Sequence, residues 1–448
     1  MGKGMFTERG ETTAANGVKG LILVMVLWVA TVLAVVLLTF ALMARVEVKT
    51  SAHYGDRLRA VEIAKSGIER GMAELRLDET TDDSLRDSWA EDEGIFREIP
   101  LSGGTFWLFR PDFENPDEVR YGIRDEASKI NLNTANRDML LQIPGLDEEQ
   151  VDAILDWRDE DDNPREQGAE SEYYLTLDPP YNAKNAAFET LEELLLVRGI
   201  TREVLYGEDT NRNGILDAAE RDGDDNPPPD NADGVLNRGI IDFLTLHSYN
   251  KNETAEGEQK KNVSQISPQE FRSALEGKID NWKVELLVQY MQRRRQLASV
   301  ADFLNVGAVE REDFKVLDDQ FTTTDDEEIK GLINVNTAPK EVLLALPEMD
   351  EELVDGLLGY RQDEAKDISS VAWLMEVMER QTLQKLYPYI TVRSFQFRVD
   401  AVGRIEGKTV FRRIAAVVDR AKDPYVIIQW KDLTHLGYPF PQEEKRLQ

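Results

Sequence analysis

Residues 21–44, LILVMVLWVATVLAVVLLTFALMA, contain no charged residue, no proline and no glycine. As an α-helix this stretch is roughly 36 Å long, enough to cross a hydrocarbon layer of about 30 Å. A helix also satisfies its own backbone groups in lipid. A cleaved secretory signal would carry an apolar region of about 7–15 residues followed by small residues. Here the run is longer and passes into Arg45, Glu47 and Lys49. The stretch is therefore expected to persist as a transmembrane helix, and everything after it hangs from a membrane anchor.

Residues 1–20 are polar, with Lys3, Arg9 and Lys19, and end in Lys19-Gly20. Cationic flanks favour the cytoplasmic side of a span. A Lys-Gly step directly before such a run resembles the leader of type IV prepilin-like proteins, which is cut ahead of the apolar segment. The resemblance implies cleavage between Gly20 and Leu21. The remainder is strongly acidic: the formal net charge of the 448-residue chain is −32. Such a field repels nucleic-acid phosphates and keeps an exported domain soluble. There is no cysteine, which excludes disulfides, thiol catalysis and thiolate metal sites. The three histidines, His53, His247 and His435, are too scattered to suggest a zinc site.

Residues 55–76 carry Leu58, Val61, Ala64, Ile68, Met72 and Leu75 at steps of three or four, with most charges elsewhere on the wheel. The anchor is thus expected to continue as an amphipathic helix over 45–78. Residues 104–110 and 118–125 read as two strands, with Pro116 in the turn between them. Residues 395–403, 409–419 and 425–430 read as further strands, the first two joined by a turn at Glu406-Gly407. The expected fold is α+β. A long N-terminal helix, transmembrane and then amphipathic, joins a pilin-like α/β sheet domain split into 79–126 and 391–430. A large inserted all-α domain occupies 127–390, and 431–448 forms a tail.

The insertion repeats itself. INLNTA (130–135) matches INVNTA (333–338), a register of 203 that continues through LLQIPGL (140–146) and LLALPEM (343–349), then VDAILDWR (151–158) and VDGLLGYR (354–361). Each copy reads helix, short hairpin, helix. Asp147 with Gln150 forms a capping box ahead of the second helix, and Asp350 takes the same place in the other copy. A shorter pattern occurs three times, at 190–197, 299–306 and 370–377, each with a Ser or Thr cap before an apolar helical run. The hairpins resemble helix-hairpin-helix motifs, whose backbone N–H groups can hold DNA phosphates. Here the second helices open on Asp147, Glu148 and Glu149 and on Asp350, Glu351 and Glu352. Those charges favour a structural or protein-binding role and no nucleic acid.

One stretch carries metal chemistry. Asp209-Thr-Asn211-Arg-Asn213-Gly214-Ile215-Leu-Asp217-Ala-Ala-Glu220 fits D-x-[DN]-x-[DN]-G-x₅-E, the calcium-loop signature. Oxygens at alternating positions face the ion and Gly214 permits the sharp turn. Ile215 offers its carbonyl, Asp217 binds directly or through water, and Glu220 closes the shell with two oxygens. The expected cofactor is Ca2+, in an acidic loop at 207–242. Asp222, Asp224, Asp230 and Asp233 are candidates for a second ion. The run Asp156–Pro164 could add oxygen ligands, but reads better as a solvated helix exit with Trp157 packed inward. No nucleophile–base arrangement or phosphate-cradling loop is present, so no enzyme activity is expected.

Several stretches occur in a telling order: Lys19-Gly20 before LILVMVLW, DEASKINLNTA (125–135), ILDWRDEDDNP (154–164), GAESEYY (168–174), PPYNAKN (179–185), FETLEELLLVRGI (188–200), the calcium-type loop and INVNTAP (333–339). Together they resemble the minor pseudopilin K family of type II secretion. The resemblance implies a pilin fold interrupted by a helical domain, and leader removal with N-methylation of Leu21 by a prepilin peptidase. It implies a single pass through the bacterial inner membrane, with the bulk of the chain in the periplasm. It also implies a place at the pseudopilus tip with minor pseudopilins I and J, and bound calcium. Met25 stands fifth from Leu21, where most pilin-like proteins have Glu. A subunit with none ahead of it has no amine to neutralise, which fits a tip position. Secreted cargo and the outer-membrane secretin are further candidate partners. The competing expectations are a membrane-anchored DNA receptor using the hairpins, and a calcium-dependent cargo-binding tip protein.

Overall fold

The computed structural model describes residues 11–113, 118–217, 220–221, 223, 233–294 and 296–440. The chain divides into two compact units, Met1–Arg59 and Ala60–Gln448. Helix α1 (Glu11–Leu77) supplies most of the first and begins the second. Among the described residues it is one helix long and apolar enough to cross a membrane, and its most apolar window is wholly exposed. The two hydroxyls within residues 21–44 are satisfied by the helix itself: Thr31 Oγ1 donates to the Leu27 carbonyl at 2.7 Å and Thr39 Oγ1 to that of Val36 at 2.8 Å. That is the behaviour lipid demands of a polar side chain.

In the second unit, Ala60, Ile63, Ala64, Ile68, Met72 and Leu75 of α1 are buried. Leu58 is 50% exposed and Val61 only half-buried, so the seam differs from the stripe read in the sequence. Small residues move it. A Cβ on Gly67 or Gly71 would sit 3.1–3.2 Å from Leu108, Phe106 or Val399, and one on Gly403 would sit 2.5 Å from the Ala60 carbonyl. Glycines on both surfaces let helix and sheet approach closely there.

After a short helix α2 (Glu93–Phe96), strands β1 (Ile99–Leu101) and β2 (Gly104–Pro111) form a hairpin through Ser102 and Gly103, both at positive φ. The strand expected over 118–125 is broken into β3 (Val119–Arg120), which pairs with β2, and β4 (Arg124–Asp125). Between them Gly122 lies so close to Ala90 that a Cβ would stand 2.0 Å from its carbonyl oxygen. The Ile123 N–H is taken by Trp89 O at 2.8 Å. The turn containing Pro116 lies outside the described residues.

The chain then builds one design three times. The first unit runs β5 (Ile130–Asn131), α3 (Arg137–Leu141), α4 (Glu148–Arg158), α5 (Ser171–Tyr174), a 3-10 turn at Leu191–Leu196, α6 (Arg202–Tyr206) and β6 (Leu244–Thr245). Strand β7 (Tyr249–Lys251) follows. The second runs β8 (Lys261–Asn262), α7 (Pro268–Leu275), α8 (Asn281–Arg293), a 3-10 turn at Val300–Asn305, α9 (Arg311–Gln320) and β9 (Phe321–Thr322). Strand β10 (Glu328–Lys330) pairs back onto β7. The third runs β11 (Ile333–Asn334), α10 (Lys340–Leu344), α11 (Glu351–Gln362), a 3-10 turn at Val371–Glu376, α12 (Arg380–Leu386) and β12 (Ile390–Thr391).

In every unit the first strand pairs in parallel with the last. Its asparagine locks the following turn: Oδ1 of Asn131, Asn262 and Asn334 accepts the N–H two residues on at 3.0, 2.9 and 3.0 Å. The amide of each then donates to Ser248, Asp325 or Ser394, at 3.2, 3.0 and 2.9 Å, just past the last strand. One correction follows. The insertion is not all-α, because these parallel strand pairs close each unit; the three short apolar runs are helical, as six-residue 3-10 helices. The middle unit escaped the sequence comparison because Lys261-Asn262-Val263-Ser264 keeps little but the asparagine. One continuous core, including Ile154, Trp157, Phe271, Phe303, Leu357 and Trp373, runs through all three.

The chain returns to the sheet with β13 (Gln396–Ile405), β14 (Phe411–Asp419) and β15 (Val426–Asp432). The strand order is β1-β2-β13-β14-β15, with β4 also on β13, so β2 and β13 adjoin although nearly 290 residues separate them. The expected tail does not begin at 431: β15 extends to Asp432, and Tyr438 and Phe440 pack on Trp107 and Phe109. Residues 441–448 lie outside the described residues.

Candidate metal centre

The loop after α6 is wound by its own side chains. Asp209 accepts the N–H of Asn213 at 3.1 Å and of Gly214 at 2.9 Å through its two oxygens. Asn211 Oδ1 accepts the Asn213 N–H at 2.9 Å, and Asn213 Oδ1 accepts the Ile215 N–H at 2.7 Å. Both amides turn to Asp217 Oδ2, at 2.7 Å from Asn211 and 3.1 Å from Asn213. Glu220 closes the circle, accepting the Thr210 N–H at 2.9 Å and the Asp217 N–H at 3.0 Å. Gly214 sits at φ 75, and a Cβ there would be 2.6 Å from Pro111. Asp209, Asn211, Asn213, Ile215, Asp217 and Glu220 are thus gathered into one loop.

Asp209, Asn213 and Glu220 are buried. Among the described residues no Lys or Arg pairs with the carboxylates of Asp209, Asp217 or Glu220 within 4.0 Å. Burial, and then the nearby Glu220, push the Asp209 carboxyl up to about 7; burial also raises Glu220. Crowded acids, amide oxygens and a main-chain carbonyl are the donor set of a hard divalent cation. Of the second-ion candidates, Asp222, Asp224 and Asp230 lie outside the described residues. Asp233 is exposed and accepts the Val235 N–H at 2.7 Å. Gly20 and Leu21 are exposed residues of α1.

Two arginines hold the loop from behind. Arg413 of β14 is 1% exposed and donates to the carbonyls of Asn211 and Arg212, over the ring of Phe109 at 5.1 Å. Arg238 donates to the carbonyls of Asp112 and, at 3.1 Å, Gly214. Asn213 Nδ2 donates to Pro439 O at 3.1 Å. The loop is therefore fastened to the sheet and to the segment after β15. Sequence inspection missed these contacts; an arginine within an apolar strand run was the one available sign.

Asp78, Asp83 and Asp87 also bring carboxylate oxygens within 4.8 Å of one another. Arg420 already occupies that position, pairing with Asp78 at 3.0 Å and Asp83 at 2.6 Å. The group ties α1's exit to the sheet and leaves no role for a metal.

Residues 128–206 match the family model described as type II secretion system (T2SS), protein K. Type II secretion system protein K of Pseudomonas aeruginosa PAO1 is 29% identical over 208 residues, covering 41% of this chain and 58% of that protein. The putative type II secretion system protein K of Escherichia coli K12 is 24% identical over 172 residues, covering 34% of this chain and 48% of that protein. The matches span about half the length of these curated relatives. Among solved structures, the chain is similar to one in the GspK-GspI-GspJ complex of the enterotoxigenic Escherichia coli type 2 secretion system. That likeness has a TM-score of 0.43 and 14% identity, over 86% of this chain and 99% of that one. By sequence, then, the chain resembles type II secretion system protein K.

Proposed function

We propose that the chain is a minor pseudopilin of a type II secretion system. Residues 21–44 hold it in the inner membrane, and its sheet and helical units stand in the periplasm at the pseudopilus tip. The observation that carries this is the match of residues 128–206 to protein K, on a chain whose long apolar helix continues onto a sheet. Its partners are the minor pseudopilins I and J of the same system. A prepilin peptidase cuts between Gly20 and Leu21 and methylates the new N-terminus. At the tip the chain caps or initiates the filament, facing secreted cargo and the outer-membrane secretin. No catalysis is assigned.

We also assign Ca2+ to Asp209, Asn211, Asn213, Ile215, Asp217 and Glu220. The ion would supply the positive charge that the buried carboxylates lack, fixing the loop against β14. The DNA-receptor alternative is disfavoured by Glu148, Glu149, Glu351 and Glu352, which open α4 and α11 where phosphate would sit.

The test is co-expression of the full chain with candidate I and J subunits, followed by purification from detergent. A stable complex, and loss of secretion on deletion of the gene, are expected. A chain that purifies without either partner and whose deletion leaves secretion intact overturns the proposal. Salt-dependent DNA retention would favour the receptor instead.

A further inference from the structure

Asn213 stands directly before Gly214. Glycine puts no side chain beside the amide nitrogen that follows the asparagine. Attack by that nitrogen on the Asn213 side-chain carbon, Cγ, closes an unstrained five-membered ring. The chain has one other Asn-Gly step, Asn16-Gly17, and it lies within α1, where the helical ladder engages the amide.

In the wound loop every atom this reaction needs is occupied. The Gly214 N–H donates to Asp209 Oδ2 at 2.9 Å. The carboxamide is pinned at both ends: its nitrogen donates to Asp217 Oδ2 and to Pro439 O, each at 3.1 Å, and its oxygen accepts the Ile215 N–H at 2.7 Å. Asn213 is 0% exposed, so water does not reach it. Only the bond to Pro439 comes from outside the loop; the others last while the loop stays wound. Asp209, Asp217 and Glu220 crowd the same loop with no Lys or Arg in ion-pair range among the described residues. Without a cation, like charges at such short range favour opening.

We propose that Asn213 is a site of spontaneous deamidation that a filled loop keeps shut, a reading that rests on the Ca2+ assignment above. In an opened loop the Gly214 nitrogen bonds to Asn213 Cγ and gives its proton to water. The bond from Cγ to the side-chain nitrogen breaks, and that nitrogen takes up a proton and leaves as ammonia. Water then opens the ring at either carbonyl. One opening leaves aspartate at 213; the other leaves isoaspartate, whose side-chain carbon has become part of the main chain. Aspartate still fits the D-x-[DN]-x-[DN]-G signature. Isoaspartate does not, because one added backbone atom puts Asp217 and Glu220 out of step with Asp209 and Asn211. Both products lose the amide that donates to Pro439 O and set a carboxylate oxygen there instead. The loop then lets go of the segment that carries Phe440 onto Phe109. A chain left without its ion is thus marked permanently, by its own chemistry and with no enzyme.

The test incubates the full-length chain in detergent with calcium or with EDTA, in heavy-oxygen water, and maps residue 213 by peptide mass spectrometry. Bound calcium is counted in parallel by equilibrium dialysis. Urea-unfolded chain sets the time in which an unprotected Asn213 converts. Over that time the EDTA arm is expected to gain labelled aspartate and isoaspartate at 213, while the calcium arm keeps its asparagine. Calcium bound with conversion equal in both arms, or with none in either, overturns the proposal and leaves the ion in place. A chain that binds no calcium overturns both.

Discussion

Arg361, at the end of α11, donates Nη1 to the carbonyl of Val335 at 3.0 Å, and the same nitrogen reaches Ala338 O at 2.7 Å. Arg158 does the same for Leu132 and Ala135 in the first unit. In each case an arginine satisfies the carbonyls of an Asn-locked turn that no strand or helix can reach. Lysine presents a point charge in place of a planar fork. Arg361→Lys is therefore expected to cost about 1–3 kcal/mol, the range for stranding a buried acceptor. Urea unfolding of the full chain in detergent measures this, and an unshifted midpoint would mean the contact is idle.

Calcium removal gives the second prediction. With the loop at 209–220 filled, chelation should lower the melting temperature, because the acids of Asp209 and Glu220 then face one another uncompensated. Glu220→Ala should abolish the loop's share of that shift. A melting curve indifferent to EDTA would falsify calcium at this site.

The segment beyond β15 is structural. Phe440 packs edge-on against Phe109, with ring centroids 5.2 Å apart, and tilted against Trp107 at 5.9 Å. Phe440→Ala should destabilise the sheet domain by about 3–5 kcal/mol, the usual loss for a buried aromatic. A freely dispensable tail would show no change in thermal midpoint.

Gly403 tests how closely α1 rides on the sheet. A side chain there meets the Ala60 carbonyl and the Ala64 backbone at 2.5 Å. Gly403→Val must push helix from strand, with a cost of about 1–3 kcal/mol by analogy with overpacked cores. Protease sensitivity near residue 60 should rise with it; unchanged resistance would argue that the seam is loose.

His247 makes stability pH-dependent. Burial lowers its pKa from the ordinary 6.5, outweighing the pull of Glu126. The unfolded chain therefore takes up a proton before the folded one does, and stability from this group is present above the unfolded value and lost as pH falls below it. Acidifying from about pH 7 towards 5 should lower the melting temperature more for wild type than for His247→Gln. Parallel curves would remove His247 from the account.

The sequence makes the elements legible far better than their partners. Apolar length marks the anchor, short runs rich in aromatic and β-branched residues mark β2, β13 and β14, and the repeat of INxNTA marks the first and third helical units. The Asp147–Gln150 capping box is visible in the letters and present at 2.9 Å both ways. The middle unit was legible only in its 299–306 run, because its opening Lys261-Asn262-Val263-Ser264 shares little with INLNTA and INVNTA beyond the asparagine.

What the letters determined by themselves is local: which segments can bury one face, which can lie in lipid, and where oxygen donors recur at a spacing set by backbone geometry. What only the tertiary structure decided is long-range: that β2 lies beside β13, and that Arg413 grips the 209–220 loop from the sheet. The reason is physical. Periodicity and turn chemistry act over a few residues, whereas burial and electrostatic surroundings are set by whatever distant segment packs alongside.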